Sequence, residues 1–334
     1  MTIILAAGKG TRMKSGYPKV LHEVCGYPML YHVIKAVKDA YFEQVWIVIG
    51  YKGKVVRETI EALGVKAGYV EQKEQLGTGH AVKTALATIE RKEKRTLILY
   101  GDTPLLKRET LQELVEAHVS NRNVLSILTA RLENPMGYGR IVRGKNNEVV
   151  EIVEEKDASA EQKKIKEVNT GIYCVETEWL QEAVNVISSD NAQGEFYLTD
   201  IVSIIHDKGG QIGGIEVQDL SEIKGVNDRI DLAKAHDIMK MRILSRLMQN
   251  GVTVYHPRSI YVELDVSIDQ DCVVYPNCSF IGRVDIAADC VIGTGAFLKN
   301  VTVGKKSRIG AGSYLENTNI PCGAIIPPFS ILKG

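Results

Sequence analysis

The first residues able to do chemistry form a glycine-rich turn between Leu5 and Lys19. Gly8 and Gly10 follow a short apolar run, and Arg12 and Lys19 supply cations after them. Glycines after a strand let backbone N–H groups close on phosphate oxygens, and nearby cations can then neutralise the β- and γ-phosphates. The turn is not a P-loop, because no Ser or Thr follows its Gly-Lys pair, and it lacks the last glycine of a dinucleotide fingerprint. It therefore predicts a triphosphate site; the alternative interpretation is an ordinary strand-to-helix turn with solvated cations.

Further polar strings recur along the chain, several of them directly after an apolar run. They comprise Gln72 and the segments 75–81, 100–105, 134–140, 152–158, 169–171, 191–200 and 225–229. In open α/β sheets, ligands bind beyond the carboxyl ends of the strands. Strings that directly follow strands are therefore the strongest candidates for a ligand site.

The elements that must position these strings alternate between apolar runs and helical patterns. Strands are predicted at 2–7, 45–49, 68–70, 96–100, 124–130, 149–153, 172–175 and 211–217, with helices at 28–40, 52–63, 77–89 and 107–119. Such alternation indicates βαβ units and a mostly parallel sheet that is covered on both faces. The sequence therefore predicts an α/β, Rossmann-like domain over residues 1–228.

A long helix is predicted at residues 229–251, and we interpret it as the link between two domains. Apolar residues occur there at helical spacing: Ile230, Ala233, Ile238, Met241, Leu244 and Met248. Gly251 is a plausible C-terminal stop for this helix.

Residues 252–334 have a different pattern, in which aliphatic side chains recur mostly at intervals of five or six residues. Glycine often follows them, as in Ile281-Gly282 and Ile292-Gly293. This hexapeptide periodicity predicts a parallel β-helix, with an aliphatic side chain at each corner of a triangular coil and glycine at the tight turns. Cys272 and Cys290 lie 18 positions apart, so we expect them to stack.

Composition narrows the class of protein. The chain has 334 residues, enough for about two domains, and 41 basic residues balance 41 acidic ones. A neutral chain has no long-range field to attract nucleic acid or anionic membrane. No signal peptide or membrane span is visible, and the six cysteines contain no C-x-x-C pair. We therefore expect a cytoplasmic enzyme with reduced, buried thiols, no zinc site, no nucleic-acid partner and no membrane partner.

Taken together, the strings closely resemble the bacterial N-acetylglucosamine-1-phosphate uridylyltransferases, the first half of a bifunctional enzyme that also transfers acetyl groups. The resemblance covers residues 1 to about 250 in strict order, and the segments 75–80 and 191–195 are its most specific parts. It implies a GT-A-like nucleotidyltransferase domain followed by a short left-handed β-helix. At about 18 residues for each coil, the tail would hold roughly four coils.

The resemblance also implies a magnesium site. Asp102 and Asn227 match the protein ligands of Mg²⁺, while Arg12 and Lys19 match residues that act on the phosphates. One carboxylate, one amide oxygen, substrate phosphates and waters make a typical magnesium site. The alternative interpretations are a turn residue for Asp102 and a helix N-cap for Asn227.

Two substrate pockets follow from the same resemblance. The positions that match the nucleotide pocket are Leu5, Ala7, Gly8, Gly10, Gln72, Gly77 and Thr78. Gln72 would face the uracil edge, because an amide can both donate and accept; a surface glutamine is the alternative. The positions that match the sugar pocket are Gly139, Glu154, Asn169 and Thr170, with Tyr197 and Thr199 as close neighbours. A surface acid and a turn asparagine are the alternatives there. We assign His80 to helix packing, since no base is needed.

The predicted reaction is in-line attack of N-acetylglucosamine 1-phosphate on the α-phosphorus of UTP, assisted by Mg²⁺, with release of pyrophosphate. Another sugar phosphate, dTTP or GTP is the alternative within the class. A non-catalytic regulatory subunit is disfavoured, because the predicted cations and metal ligands are all present.

In the resembled enzymes a β-helix histidine is the base for acetyl transfer, but no histidine follows His256. We therefore expect no acetyltransferase activity, and homotrimer formation through the tail, with capping of the core as the alternative.

Overall fold

Strands and helices alternate up to residue 216, and short, regularly spaced strands dominate after the long helix that follows. These elements come from a computed structural model that describes residues 1–90 and 93–334. They divide into two compact units, the first containing Met1–His22 and Pro28–Asp231 and the second Glu23–Tyr27 and Leu232–Gly334. The division between the units after Asp231 lies inside the long helix.

The first unit is built on a mixed sheet. In chain order the strands up to residue 216 are β1 (Thr2–Ala6), β2 (Glu23–Val24), β3 (Tyr27–Pro28), β4 (Val45–Ile49), β5 (Gly68–Glu71), β6 (Arg95–Tyr100), β7 (Leu125–Arg131), β8 (Arg140–Arg143), β9 (Val149–Val153), β10 (Glu167–Glu176) and β11 (Ile212–Glu216). The main sheet has the order β11-β7-β10-β6-β1-β4-β5, with β8 paired to β10 and β9 paired to β8, while β2 and β3 form a separate two-stranded sheet. Only β10 runs antiparallel among the seven strands of that order. The predicted α/β fold with a mostly parallel sheet is confirmed.

Helices cover both faces of this sheet. They are α1 (Met29–Asp39), α2 (Gly53–Ala62), α3 (Thr78–Thr88), α4 (Arg108–Ser120), α5 (Thr177–Val186) and α6 (Ile201–Asp207). Strand residues alternate between two separate cores: Ile4 packs in the core that contains α1, α2 and α4, while Ile3 packs in the core that contains α3, α5 and α6. This alternation follows from the two-residue period of a strand.

The segment 172–175, predicted as a complete strand, is only the end of β10. The strand begins at Glu167, and its register with β7 shifts between Asn169 and Tyr173. Polar residues and this irregularity interrupt the apolar run, so the sequence pattern showed only the last part of the strand. The strand β8 and the helices α5 and α6 were also missed.

The helix α7 (Arg229–Gln249) confirms the predicted helix but not its predicted apolar face. Its buried residues are Ala235, Ile243, Leu244 and Leu247, and of these only Leu244 belongs to the predicted stripe. Ile230 is 66% exposed. The prediction used spacing alone, and spacing cannot decide which of two partly apolar faces is buried.

The remaining strands form a β-helix. They are β12 (Thr253–Val254), β13 (Tyr261–Val262), β14 (Val266–Ile268), β15 (Val273–Val274), β16 (Ser279–Ile286), β17 (Val291–Ile292), β18 (Phe297–Val303), β19 (Arg308–Ile309), β20 (Tyr314–Glu316), β21 (Asn319–Ile320), β22 (Ile325–Ile326) and β23 (Ile331–Lys333). Their ladders are parallel and stack in columns. Phe280 pairs with Leu298, and Leu298 with Leu315, so one coil takes 18 residues and the next 17. All three side chains are fully buried.

Glycine and cysteine in this β-helix differ in part from expectation. A Cβ on Gly293 would lie 2.6 Å from the backbone nitrogen of Ala311, so close approach of the next coil, and not a positive φ, requires glycine there. Cys272 and Cys290 stack as predicted, with the Cys290 N–H donating to the Cys272 Sγ at 3.4 Å. Cys322 is exposed, whereas all cysteines were expected to be buried.

Candidate active site

Two cavities in the first unit gather the predicted site residues. The first, of about 430 Å³, is lined by every predicted nucleotide-binding residue: Leu5, Ala7, Gly8, Gly10, Gln72, Gly77 and Thr78. The second, of about 380 Å³, is lined by Gly139, Glu154, Asn169 and Thr170. Both cavities share Arg12, Tyr100, Asp102 and Asn227. The predicted catalytic and metal-binding positions therefore lie where the two cavities meet, apart from Lys19, which lines only the first.

The glycine-rich turn places its cations by a close backbone approach. Gly10 has φ +62°, and a Cβ at this position would lie 2.5 Å from the Cβ of Lys19. Only glycine adopts this conformation without strain and leaves room for the lysine. Gly10 therefore lets the chain after β1 fold back against the short helical turn Lys19–Leu21.

Charged and amide groups meet at the shared wall of the cavities. The Lys19 Nζ donates to the Asp102 Oδ2 at 2.5 Å and to the Asn227 Oδ1 at 2.9 Å. The Arg12 Nη2 donates to the same Asn227 oxygen at 2.9 Å. The segments that carry the two oxygens are also joined, because the Val226 N–H donates to the Asp102 carbonyl at 2.9 Å. Two oxygen acceptors thus converge on one positive centre.

This donor set suits a hard divalent cation. A carboxylate and an amide oxygen already point at a common cationic atom, and cations such as Mg²⁺ take one or two protein oxygens together with substrate phosphates and waters. Within residues 1–90 and 93–334, no group of three or more His, Cys, Asp or Glu side chains could hold a metal ion. By the chemistry of their donor atoms, the Asp102 carboxylate and the Asn227 amide oxygen fit such an ion.

Gln72 forms part of the wall of the first cavity and is not a surface residue. It is 3% exposed. Its Nε2 donates to the Gly77 carbonyl at 3.1 Å and lies 3.1 Å from the Nδ1 of His80. His80, expected to serve in helix packing, lies 6.4 Å from the Phe196 ring between centroids, and it also contacts Gln72, the residue predicted to read the base.

Glu154 and Asn169 form polar walls of the second cavity. The Glu154 Oε1 accepts a hydrogen bond from the Thr199 hydroxyl at 3.2 Å. Burial raises the pKa of the Glu154 carboxyl above its usual value, and the Thr199 hydrogen bond opposes that rise. The Asn169 Oδ1 accepts from the Gly171 N–H at 2.9 Å, and the Asn169 N–H donates to the Gly139 carbonyl at 2.9 Å. Hydrogen bonds within the protein therefore orient both side chains.

Three predicted sugar-binding residues, Thr170, Tyr197 and Thr199, form hydrogen bonds to other groups of the protein. The Thr170 hydroxyl donates to the Leu128 carbonyl at 2.6 Å, so its proton is already engaged. Thr199 and Tyr197 are buried and do not line the second cavity. Thr199 orients Glu154, and the Tyr197 hydroxyl accepts from the Gln193 Nε2 at 2.8 Å.

Tyr100 is a further residue of these cavities that was not predicted from the sequence. Tyr100 ends β6 and lines both cavities. Burial raises the pKa of its hydroxyl. Its position two residues before Asp102, in a string already singled out, was the available signal. A further cavity of about 730 Å³ is lined by residues such as His118, Glu176 and Trp179 and includes none of the predicted site residues.

Comparison with known proteins shows which family the chain is similar to. Residues 2–163 match the family described as the MobA-like NTP transferase domain. The bifunctional protein GlmU of Clostridioides difficile is 45% identical over 302 residues, covering 90% of this chain and 65% of that protein. GlmU of Streptococcus thermophilus is 43% identical over 331 residues, covering 99% of this chain and 71% of that protein. The chain thus spans about two thirds of the length of these relatives.

A solved structure supports the fold. It is a proposed glucose-1-phosphate thymidylyltransferase from Bacillus anthracis, crystallised in complex with a sucrose. The match has a TM-score of 0.57 and 22% sequence identity, and it covers 71% of this chain and 94% of that one. At this level of identity, the likeness concerns the fold alone. No helix in the described part of the chain is both long and apolar enough to cross a bilayer.

Proposed function

Because the chain belongs to the family of the bifunctional protein GlmU and is a nucleotidyltransferase by its domain, we propose that it transfers a uridylyl group from UTP to N-acetylglucosamine 1-phosphate. The observation that supports this proposal is the meeting of two cavities at Arg12, Asp102 and Asn227. One cavity has the glycine-rich turn expected for a triphosphate. The other has the carboxylate and amide groups expected for a sugar. The α-phosphorus of a triphosphate in the first cavity would then lie beside the phosphate of a sugar in the second, which would attack it and release pyrophosphate.

The roles that we assign to the side chains are to bind the two substrates and to orient them. The turn from Leu5 to Lys19 holds the triphosphate, and Arg12 and Lys19 neutralise its oxygens. Glu154 and Asn169 orient the sugar so that its phosphate oxygen lies in line with the α-phosphorus. Since phosphate oxygens are already ionised at neutral pH, no protein base is required, and catalysis rests on positioning and electrostatics.

We assign the divalent cation, proposed to be Mg²⁺, to Asp102 and Asn227. Bound there, it would supply charge neutralisation on the phosphate oxygens. The protein's part is to present two fixed oxygens and to keep Lys19 and Arg12 within hydrogen-bonding distance of them.

Acetyl transfer is not part of the proposed activity of these residues. The β-helix of this chain contains His256 and no histidine after it, so the general base that the resembled enzymes use has no counterpart among the residues present. Homotrimer formation through residues 252–334 stays a prediction. Size-exclusion chromatography with light scattering tests it, and a monomer at micromolar concentration would contradict it.

The function is tested by measuring pyrophosphate release over a matrix of UTP, dTTP, CTP and GTP against several sugar 1-phosphates, with and without Mg²⁺. We expect the highest kcat/KM for UTP with N-acetylglucosamine 1-phosphate, and no turnover after chelation. A separate reaction with acetyl-CoA and glucosamine 1-phosphate should release no free thiol. A preference for another nucleotide or sugar would refute the substrate assignment, and no turnover with any pair would refute the proposed activity.

A further inference from the structure

We propose that His80 is a positioning residue that fixes the Gln72 amide so that only its oxygen is offered to the nucleotide base. The site would then select bases with an N–H at the facing edge, as uracil and thymine have. This inference rests on the proposed function, since it concerns how the same nucleotide cavity reads its base. It revises the expectation that Gln72 both donates to and accepts from the base.

The orientation of the Gln72 amide follows from a partner that can only accept. The Gly77 carbonyl lies 3.1 Å from the atom of Gln72 assigned as Nε2. An amide oxygen at that place would put two acceptors against each other, so the nitrogen must face Gly77. The same nitrogen lies 3.1 Å from the Nδ1 of His80.

These two contacts use both hydrogens of the amide. An amide nitrogen carries two N–H donors, and Gly77 and His80 each take one. The His80 Nδ1 must therefore present its lone pair, which places the imidazole proton on Nε2. What Gln72 has left for a ligand in the first cavity is its Oε1, an acceptor.

An acceptor at this place would distinguish pyrimidine bases by the group that they carry at N3. Uracil and thymine carry an N–H at N3 that can donate to Oε1, whereas cytosine carries a lone pair at N3. Loss of the His80 acceptor leaves a buried N–H without a partner and removes one of two restraints on the amide. Selectivity should then fall while the chemistry, which is centred on Asp102 and Asn227, is left in place.

Steady-state kinetics with UTP and CTP test the proposal on His80→Leu, His80→Asn and Lys83→Leu. Lys83 is exposed on the same helix, α3, and serves as the matched control. We expect His80→Leu to lower kcat/KM for UTP about 3- to 10-fold, the range for one hydrogen bond, through KM and not kcat. The UTP-to-CTP preference should fall by a similar factor. His80→Asn, whose Oδ1 can take the place of the Nδ1 acceptor, should recover most of both, and Lys83→Leu should match the wild type.

Two outcomes would overturn the role of His80. One is an unchanged UTP-to-CTP ratio in His80→Leu; the other is an equal loss of kcat for both nucleotides. Since the variant could be misfolded, long-range ¹H–¹⁵N NMR of the ¹⁵N-histidine-labelled wild-type protein gives an independent reading. We expect an unprotonated His80 Nδ1 at neutral pH, and a proton there would refute the proposal. The proposed function fails separately, if the wild type uses no uracil nucleotide.

Discussion

Replacement of Asp102 by asparagine is the sharpest test of the proposed catalytic centre. The change removes one negative charge at the point where Lys19 bridges Asp102 and Asn227, at 2.5 Å and 2.9 Å. Loss of a charge-assisted hydrogen bond costs about 1.5–3 kcal/mol, and loss of one preorganised electrostatic group in a transition state costs about 2.7–4 kcal/mol. At about 1.36 kcal/mol for each factor of ten, kcat/KM should fall about 100- to 1000-fold.

The fold should tolerate this change, which makes the kinetic result interpretable. The side chains of Lys19 and Asp102 are 13% and 22% exposed, and Lys19 keeps its bond to Asn227. Because the amide oxygen of the new asparagine can still accept from Lys19, we expect the free energy of unfolding to fall by about 1–2 kcal/mol, less than complete loss of the pair would cost. Asp39→Asn removes the same charge from a more exposed pair with Lys35 on α1, outside the two cavities, and serves as the control.

Pyrophosphate release at varied Mg²⁺ is the assay, and the Asp102→Asn variant should also need more Mg²⁺ for half-maximal rate. Turnover within threefold of the wild type would refute the metal assignment. So would a large loss of rate with an unchanged dependence on Mg²⁺. A loss shared by Asp39→Asn would show that the assay reports stability and not chemistry.

Two further predictions concern stability. Burial, followed by Asp157 and Glu151, raises the pKa of Asp200 from 3.8 to about 6. Between these two pKa values the folded state therefore binds more protons than the unfolded state, and its stability falls as pH rises through them. The Tm of Asp200→Asn should therefore increase relative to that of the wild type from pH 4 to pH 7. A difference in Tm that does not change with pH would contradict this. Gly171 has φ +80°, and a Cβ there would lie 2.3 Å from the Tyr100 ring. Gly171→Ala should therefore lower the free energy of unfolding, measured in urea, by about 2–4 kcal/mol. This is clearly more than for Gly64→Ala, where φ is +73° and nothing lies within 4 Å. Equal losses would show that the Tyr100 ring makes no steric contribution.

The roles of individual site residues came from the family resemblance, but the location of several of them could be expected because they follow strands in the sequence. The turn after β1, the string after β6 and Gln72 after β5 all come to one edge of the sheet, as parallel strands require. Periodicity likewise predicted the β-helix, since its stacked corners repeat every 17 or 18 residues. These signals are local in the chain, and a single sequence therefore contains them.

Features set by distant partners could not be predicted in the same way. The glycine at 293 is needed because the next coil lies against it, and the buried face of α7 depends on which elements cover it. The orientation of Gln72 depends on the Gly77 carbonyl and the His80 ring together. Each of these depends on contacts between side chains or backbones, which residue spacing does not give.

The same limit applies to the cations at the centre of the site. Lys19 and Arg12 were predicted to hold phosphates, but their side chains donate to Asp102 and Asn227, the predicted metal ligands. This pairing is physically reasonable, because a partly buried lysine and carboxylate without partners would each carry a desolvation cost. Within the protein, the two cationic side chains and the two predicted metal ligands therefore serve as hydrogen-bond partners for one another. On the proposed function, binding of a triphosphate with its metal ion would replace these contacts. Lys19 and Arg12 would then bind the phosphate oxygens, and Asp102 and Asn227 would bind the metal ion. The loop from Leu5 to Lys19 is already folded for this exchange.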